Sequence, residues 1–323
     1  MQLLKRISVC FSFISVILVS LLSYSSLSRA DDVTPKARQN CLRQMSHDDN
    51  HLDTTHSYIT SWFCEPASWV DDFFTDERIY EGGRAATKIR WRNDVVFREK
   101  ASPDFITTIN ARLQLPNTSK RLKLVFESEN QDDISETIPD TNDINQGTLG
   151  FLYDFIDSNK ASLRLRLSFS PSITLRYRYT HPINETLITR FTQSLYRKEG
   201  IFGTISAFDI DKAIDEKNAI RWSNQIEIVD HLDGMEWITA LVLFHRINEK
   251  SALSYESSAT GITEPQVLTT DYRLGIRYRR NIYRKWLFYE VAPEVTWPKI
   301  STTDDRHSIF AVTFRLEVFF ESI

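Results

Sequence analysis

A two-residue alternation of apolar and charged side chains recurs throughout the larger, C-terminal part of the chain. In residues 163–169 apolar side chains alternate with Arg164 and Arg166, and similar alternation returns in residues 172–180 and 271–279. Successive side chains of a β-strand point to opposite faces of a sheet, so each run predicts a strand with one apolar face and one charged face. The chain must therefore fold so that these two kinds of face are kept apart.

Turn residues separate the alternating runs, as in Ser158-Asn159-Lys160 and Asn248-Glu249-Lys250. Counting the runs predicts about fourteen strands, with twelve as the alternative if neighbouring runs form one bent strand. The predicted strands cover residues 86–98, 104–115, 121–130, 148–156, 161–169, 172–180, 185–197, 201–212, 218–230, 235–247, 250–260, 266–281, 284–297 and 307–320. Long strands without intervening helices predict an all-β fold, a closed antiparallel barrel that leaves no sheet edge exposed.

The lengths of the connections help to decide which face of the barrel points outward. A transmembrane barrel turns its apolar face to lipid, and its short periplasmic turns alternate with longer outside loops. Counted back from the C-terminus, longer connections at residues 298–306, 261–265 and 131–147 alternate with shorter ones at 281–284, 248–249 and 116–120. This asymmetry favours a transmembrane β-barrel over a soluble one.

The last predicted strand carries the most specific pattern in the chain. Its alternating apolar positions are Phe310, Val312, Phe314, Leu316, Val318 and Phe320, with Arg315 and Glu317 between them. This strand resembles the C-terminal insertion signal of Gram-negative outer-membrane β-barrel proteins, although here three residues follow the final aromatic. The resemblance implies that the barrel-assembly machinery recognises this strand.

Two further stretches extend the resemblance over nearly the whole mature chain. They are the aromatic segments at residues 284–298 and 63–74, which include Trp286-Leu287-Phe288-Tyr289 and Trp69-Val70-Asp71-Asp72-Phe73-Phe74. Together they resemble an uncharacterised family of Gram-negative outer-membrane β-barrel proteins. The resemblance implies a fold and a location, the cell outer membrane, but it implies no activity.

The N-terminal part of the chain differs from the barrel region. Lys5 and Arg6 precede an apolar run at residues 7–22, and small residues occur near Ala30, so residues 1–30 are predicted to be a secretory signal peptide. An uncleaved signal anchor is the alternative. Residues 31–83 are polar and then rich in aromatic residues at helical spacing, which predicts a small periplasmic cap or plug. Residues 84–323 then form the barrel.

Two cysteines remain after removal of the signal peptide, Cys41 and Cys64. Each has only one potential partner in an oxidising compartment, so we predict a disulfide between them, with two free thiols as the alternative. We predict no metal and no cofactor. Residues 47–56 hold three histidines, but their spacing fixes no complete ligand set, and the acidic residues 129–143 match no calcium-binding loop.

If the apolar faces contact lipid, the charged faces line the barrel interior. Sixteen basic and eight acidic residues fall on these faces, in a chain whose net charge is -4. The lumen-lining candidates are Arg164, Arg166, Arg176, Arg178, Arg190, Arg221, Asp271, Arg273, Arg277, Arg279, Glu290, Glu294, Arg315 and Glu317. An excess of arginine favours anions, so the pattern indicates an outer-membrane barrel that passes or binds small anionic solutes.

Two alternatives stay open. Arginine–carboxylate pairs could simply fill and crosslink the interior, which would make the chain a structural, envelope-maintenance barrel. An outer-membrane lipid-modifying enzyme would need a serine activated by a histidine, yet none of the seven histidines has a serine two residues away. His245 on a strand, and His231 and His307 near strand ends, could still reach a serine on a neighbouring strand, but we predict no catalytic residues. The partners expected are outer-membrane lipid, the assembly machinery and a small anion, and the net charge argues against nucleic acid.

Overall fold

The computed structural model of this chain describes residues 87–114, 122–127, 148–157, 160–169, 172–230, 232–283 and 286–322. The predicted signal peptide, the helical cap at residues 31–83 and the Cys41–Cys64 disulfide lie outside the described residues. So do the acidic segment 129–143 and His231. Within the described residues, no helix is long and apolar enough to cross a membrane.

Fourteen β-strands make up the described part of the chain, which confirms the higher of the two predicted counts. They are β1 (Thr87–Arg98), β2 (Asp104–Gln114), β3 (Leu122–Glu127), β4 (Thr148–Asp157), β5 (Ala161–Ser168), β6 (Ser172–Asn184), β7 (Leu187–Lys198), β8 (Ile201–Ala213), β9 (Asn218–Val229), β10 (Glu236–Asn248), β11 (Ser251–Ile262), β12 (Leu268–Asn281), β13 (Leu287–Thr296) and β14 (Ile309–Ser322). The two runs that could have been one bent strand are β5 and β6, which pair with each other.

Each strand pairs antiparallel with its neighbours in sequence, and β1 pairs with β14 to close the barrel. The closing register runs from Thr87 opposite Ser322 to Arg98 opposite Ala311. Closure matters because a membrane offers no water to the unpaired N–H and C=O groups of a sheet edge. Among the described residues, every strand has two hydrogen-bonded neighbours, as the predicted closed antiparallel barrel requires.

The two faces of the barrel wall differ sharply in polarity. On β14, Phe314 and Leu316 are 47% and 44% exposed, whereas Arg315 and Glu317 between them are 3% and 0% exposed. A water-soluble protein shows the opposite arrangement. An apolar exterior around a charged interior is the arrangement of a transmembrane β-barrel. The apolar positions of the alternating sequence therefore face lipid, and the charged positions face the barrel interior.

The apolar positions predicted for the insertion strand all lie on the outer face of β14. Phe310 and Phe320 are exposed, and Val312 is half-buried. Val318 is buried, and it lies opposite Trp91 on β1 and Leu287 on β13. The stripe is therefore a continuous part of the apolar outer surface.

An outward-facing position near the middle of β14 gives a test of this orientation. We expect Leu316→Arg to destabilise the barrel by about 2–4 kcal/mol, because it places a charge against the hydrocarbon core. Urea unfolding of the barrel folded into lipid vesicles measures this change. The matched control is Ile300→Arg, since Ile300 is exposed in the connection before β14. Equal destabilisation by the two variants would contradict the assignment of the outer face.

Candidate functional site: the charged barrel interior

The interior wall is built largely from buried charged side chains. Nine arginines and six carboxylates of the described residues are at most 8% exposed. They are Arg92, Arg164, Arg166, Arg176, Arg178, Arg190, Arg221, Arg279, Arg315, Asp94, Asp154, Asp209, Asp211, Glu290 and Glu317. Burying a charge is costly unless other charges and hydrogen bonds compensate it, so the pairing of these groups determines what the interior can do.

The lumen-lining candidates alternate along their strands with the exposed apolar positions. Most are buried, and Asp271, Arg273, Arg277 and Glu294 are half-buried. The prediction did not include four interior carboxylates, which are Asp154, Asp209, Asp211 and Glu256. The three aspartates alternate with apolar neighbours, as in Phe208-Asp209-Ile210-Asp211, so the same two-residue period could have found them, whereas Glu256 is followed by Ser257 and Ser258.

A nearly neutral network of ion pairs crosses β12, β13, β14 and β1. The carboxylate of Glu317 accepts a hydrogen bond from Arg279 Nη1 at 2.7 Å and one from Arg90. Glu290 lies beside it, 3.3 Å from Arg279 Nη1 and 3.7 Å from Arg315 Nη1. Each of these two carboxylates contacts more than one guanidinium, so removing either of them takes a partner from several arginines at once.

The same network extends to both sides of these strands. Arg315 binds Asp94 on β1 with two hydrogen bonds, of 2.8 Å from Nε and 2.7 Å from Nη2, the bidentate geometry that suits a guanidinium and a carboxylate. On β12, Arg277 is 3.2 Å from Glu256 of β11 and 3.4 Å from Glu290. The interior face from β11 round to β1 is thus crosslinked by charge pairs.

A different arrangement occupies β5, β6 and β7. Their interior positions carry five buried arginines, which we call the arginine wall: Arg164, Arg166, Arg176, Arg178 and Arg190. None of these three strands contains an aspartate or a glutamate. The arginine wall therefore carries a concentrated positive charge that its own strands do not balance.

Carboxylates of the neighbouring strands contact the arginine wall at its two sides. On one side, Arg164 Nε donates to Asp154 of β4 at 2.5 Å. On the other side, the guanidinium of Arg190 lies 3.7 Å from Asp209 and 3.5 Å from Asp211, both on β8. Among the described residues, buried carboxylates thus contact the arginine wall from β4 and β8.

Arginines also face each other within the wall. Arg164 on β5 lies directly opposite Arg176 on β6 in the strand register. Arg178 lies opposite Thr192 of β7, and its Nε donates to the threonine hydroxyl at 3.4 Å. Like charges in directly opposed positions destabilise a sheet, and a hydroxyl satisfies a donor without neutralising its charge. The register thus concentrates positive charge on neighbouring positions of β5 and β6.

The histidines form no hydrolase-like site among the described residues. His245, half-buried on β10, has its Nδ1 2.8 Å from Asn218 Oδ1, and Asn218 in turn hydrogen-bonds Asp215 in the β8–β9 turn. The Asn218 side chain and the backbone N–H of Lys217 hold the pKa of Asp215 below its usual value. His307 is exposed before β14. The side-chain partner of His245 Nδ1 is therefore an amide oxygen and not a serine hydroxyl.

The described residues also contain no group of three or more His, Cys, Asp or Glu side chains that could hold a metal ion. The six buried carboxylates of the described residues instead each lie within 4 Å of an arginine. What the interior offers chemically is therefore guanidinium groups, hydroxyl groups and carboxylate–guanidinium pairs.

A closed antiparallel barrel with an apolar exterior and a charged interior defines a transmembrane β-barrel protein. Solved structures that resemble the chain include OmpT of Vibrio cholerae, the outer membrane channel DcaP of Acinetobacter baumannii and an anion-selective porin from Comamonas acidovorans. Their sequence identities are 7%, 7% and 8%, and their TM-scores are 0.46, 0.47 and 0.44. The similarity covers 74%, 73% and 73% of this chain and 99%, 97% and 98% of those chains. No protein-family model and no curated protein matches the chain.

The ion-pair network makes a prediction about stability. We expect Glu317→Gln to destabilise the barrel by about 3–5 kcal/mol, because it leaves the buried Arg279 and the half-buried Arg90 beside a neutral group. Urea unfolding in lipid vesicles would measure the loss. Glu185→Gln, in the exposed β6–β7 turn, is the control and should change the unfolding free energy by less than about 0.5 kcal/mol. A similar effect of both substitutions would show that the network contributes little.

Proposed function

We propose that this chain is an outer-membrane β-barrel that passes or binds small anionic solutes. The observation that carries the proposal is the arginine wall, five buried arginines on three adjacent strands that contain no carboxylate. The excess of nine buried arginines over six buried carboxylates in the described residues points the same way. A confined surface of one charge sign raises the local concentration of ions of the opposite sign.

The location of the barrel is part of this proposal. A secretory signal at residues 1–30 would export the chain, and the assembly machinery would recognise β14 through its alternating apolar stripe. The exposed side chains of β14 then contact outer-membrane lipid, and the N-terminal segment stays in the periplasm. Cell fractionation, followed by comparison of the gel mobility of boiled and unboiled samples, tests both the location and the barrel.

The test of solute selectivity is electrical. Purified barrel, inserted into a planar lipid bilayer with a potassium chloride gradient, should give a zero-current potential of the sign that chloride preference produces. We expect Arg166→Glu to shift this potential toward cation preference, because it reverses one charge of the arginine wall and so changes the interior charge by two units.

The control for this test reverses a charge on the outer face of the barrel. Arg197 lies on the outward face of β7, where its guanidinium packs 4.9 Å from the ring centre of Phe202. Arg197→Glu should leave the zero-current potential unchanged. Wild-type channels with cation preference, or no difference between the two variants, would refute anion selectivity.

One observation favours a second function, that of a structural barrel. Glu290, Glu317 and Arg279 are at most 2% exposed and crosslink neighbouring strands, as they would in an interior that serves mainly to hold the wall together. A structural barrel would give no conductance in the bilayer. Its deletion would instead make the cell envelope more permeable to detergents, and restoring a Glu317→Gln variant would only partly repair that defect.

A further inference from the structure

Charged side chains are rare on the outward face of the described strands. The strand registers place three of them at outward positions, which are Arg197 on β7, Lys212 on β8 and Arg280 on β12. All three are basic, and each is the last residue but one of its strand. A cation near the end of a membrane-spanning strand lies at the depth of the lipid headgroups. The outward face therefore carries positive charge where a membrane carries phosphate.

Arg280 differs from the other two because two tyrosine hydroxyls accompany it. Its guanidinium hydrogen-bonds the side chains of Tyr278, two residues earlier on β12, and Tyr289, which lies opposite it on β13. The two rings pack together, with their centres 6.0 Å apart. Arg280 is exposed, whereas both tyrosines are half-buried. One cation and two hydroxyl groups are thus held together on the outside of the barrel.

The residues opposite Arg280 in the sheet do not neutralise its charge. They are Ser251 on β11 and Tyr289 on β13, and neither is charged. A guanidinium has five N–H donors in a planar fork, and a hydroxyl group satisfies a donor without neutralising the charge. A phosphate group matches this fork with two oxygens and can also accept hydrogen bonds from tyrosine hydroxyls. The chemistry of this group therefore fits a phosphate supplied from outside the chain.

An apolar path runs from this group toward the middle of the membrane. Beyond Tyr278, the outward residues of β12 are Ile276 and Leu274, which are 44% and 50% exposed. Leu316 on β14 lies opposite Tyr289 and is also exposed. A free phosphate ion gains nothing from this surface, whereas the acyl chain of a lipid buries it. Charge and apolar surface therefore follow each other along β12 in the order of a phospholipid headgroup and its chain.

We propose that Arg280, Tyr278 and Tyr289 bind the phosphate group of a membrane phospholipid on the outer surface of the barrel. The acyl chain of this lipid lies along Ile276 and Leu274. Because β12 ends at the short connection 282–286, the lipid belongs to the leaflet on the side that the connection lengths assign to the periplasm. The site requires that the barrel spans a membrane, but it is independent of the passage of any solute through the interior.

Native mass spectrometry of the folded, detergent-solubilised barrel tests the site by measuring the fraction that carries a bound lipid. The probes are dioleoylphosphatidylglycerol, dioleoylglycerol, which has the same chains without the phosphate, and glycerophosphoglycerol, which is the headgroup without the chains. The phospholipid should bind about ten-fold more tightly than dioleoylglycerol, because only the phosphate forms charge-assisted hydrogen bonds. Glycerophosphoglycerol should bind at least about ten-fold more weakly than the phospholipid, since it buries no apolar surface.

Substitutions on the two faces of the wall complete the design. Arg280→Gln should weaken phospholipid binding by about ten-fold, and Tyr289→Phe by about three-fold. Arg280→Lys keeps the charge without the planar fork, so its affinity should lie between those of wild type and Arg280→Gln. The mobility of each unboiled sample on a gel establishes that the barrel is folded.

The matched control removes the same charge from the inside of the barrel. Arg246 on β10 lies opposite the fully buried Ala252 of β11, which in turn lies opposite Arg279, the residue before Arg280. Arg246 is therefore an inward residue at nearly the same level of the wall. Arg246→Gln should change phospholipid binding by less than about two-fold, because the lipid contacts only the outer face.

Three outcomes would overturn the site. Equal binding of the phospholipid and dioleoylglycerol would mean that apolar chains alone adhere to the surface. Equal effects of Arg280→Gln and Arg246→Gln would point to the total charge of the barrel. Binding of glycerophosphoglycerol as tight as that of the phospholipid would mean that the ligand is a soluble phosphate ester. Phospholipid binding that Arg280→Gln weakens and Arg246→Gln leaves intact supports the site, whether or not the barrel conducts anions.

Discussion

The burial of charge is the constraint on which the rest of this structure depends. The apolar exterior assigns every second residue to the inside of the barrel, and at many of those positions the residue is charged. A charge held away from water needs an opposite charge or several hydrogen bonds within reach. The register of the strands therefore has to do more than pair backbone groups, because it must also bring arginines next to carboxylates.

The barrel meets this constraint differently on its two sides. From β11 round to β1, carboxylates such as Glu290 and Glu317 each contact several guanidinium groups, and the wall is crosslinked. On β5–β7 the strands supply arginines alone, and Asp154 and Asp209 contact Arg164 and Arg190 from the neighbouring strands. The first arrangement crosslinks its strands through shared carboxylates, whereas the second concentrates positive charge on three adjacent strands. The two sides of the interior therefore differ in how their charge is distributed.

The sequence predicted the strands and their two faces because a two-residue period is a local property of the chain. It could not decide whether residues 163–179 form one strand or two. Ser168 and Ser172 pair with each other and both face inward, so the reversal between β5 and β6 leaves the period unbroken. Ion-pair partners were also beyond the sequence, because they depend on register. The irregularity between Asp154 and Ile156 on β4 shifts the register just after Asp154 has been placed opposite Arg164.

The pairing of Asp94 with Arg315 also bears on the order in which the barrel forms. Every other strand pairing joins neighbours in the chain, whereas this contact joins residues 221 positions apart. Contacts close in sequence form with little loss of chain entropy, and distant ones are slow. The hairpins can therefore assemble progressively, and closure of the cylinder remains a single late step that waits for the last strand. The bidentate ion pair between Asp94 and Arg315 stabilises the pairing of β1 with β14 at that step, after the other strands have paired.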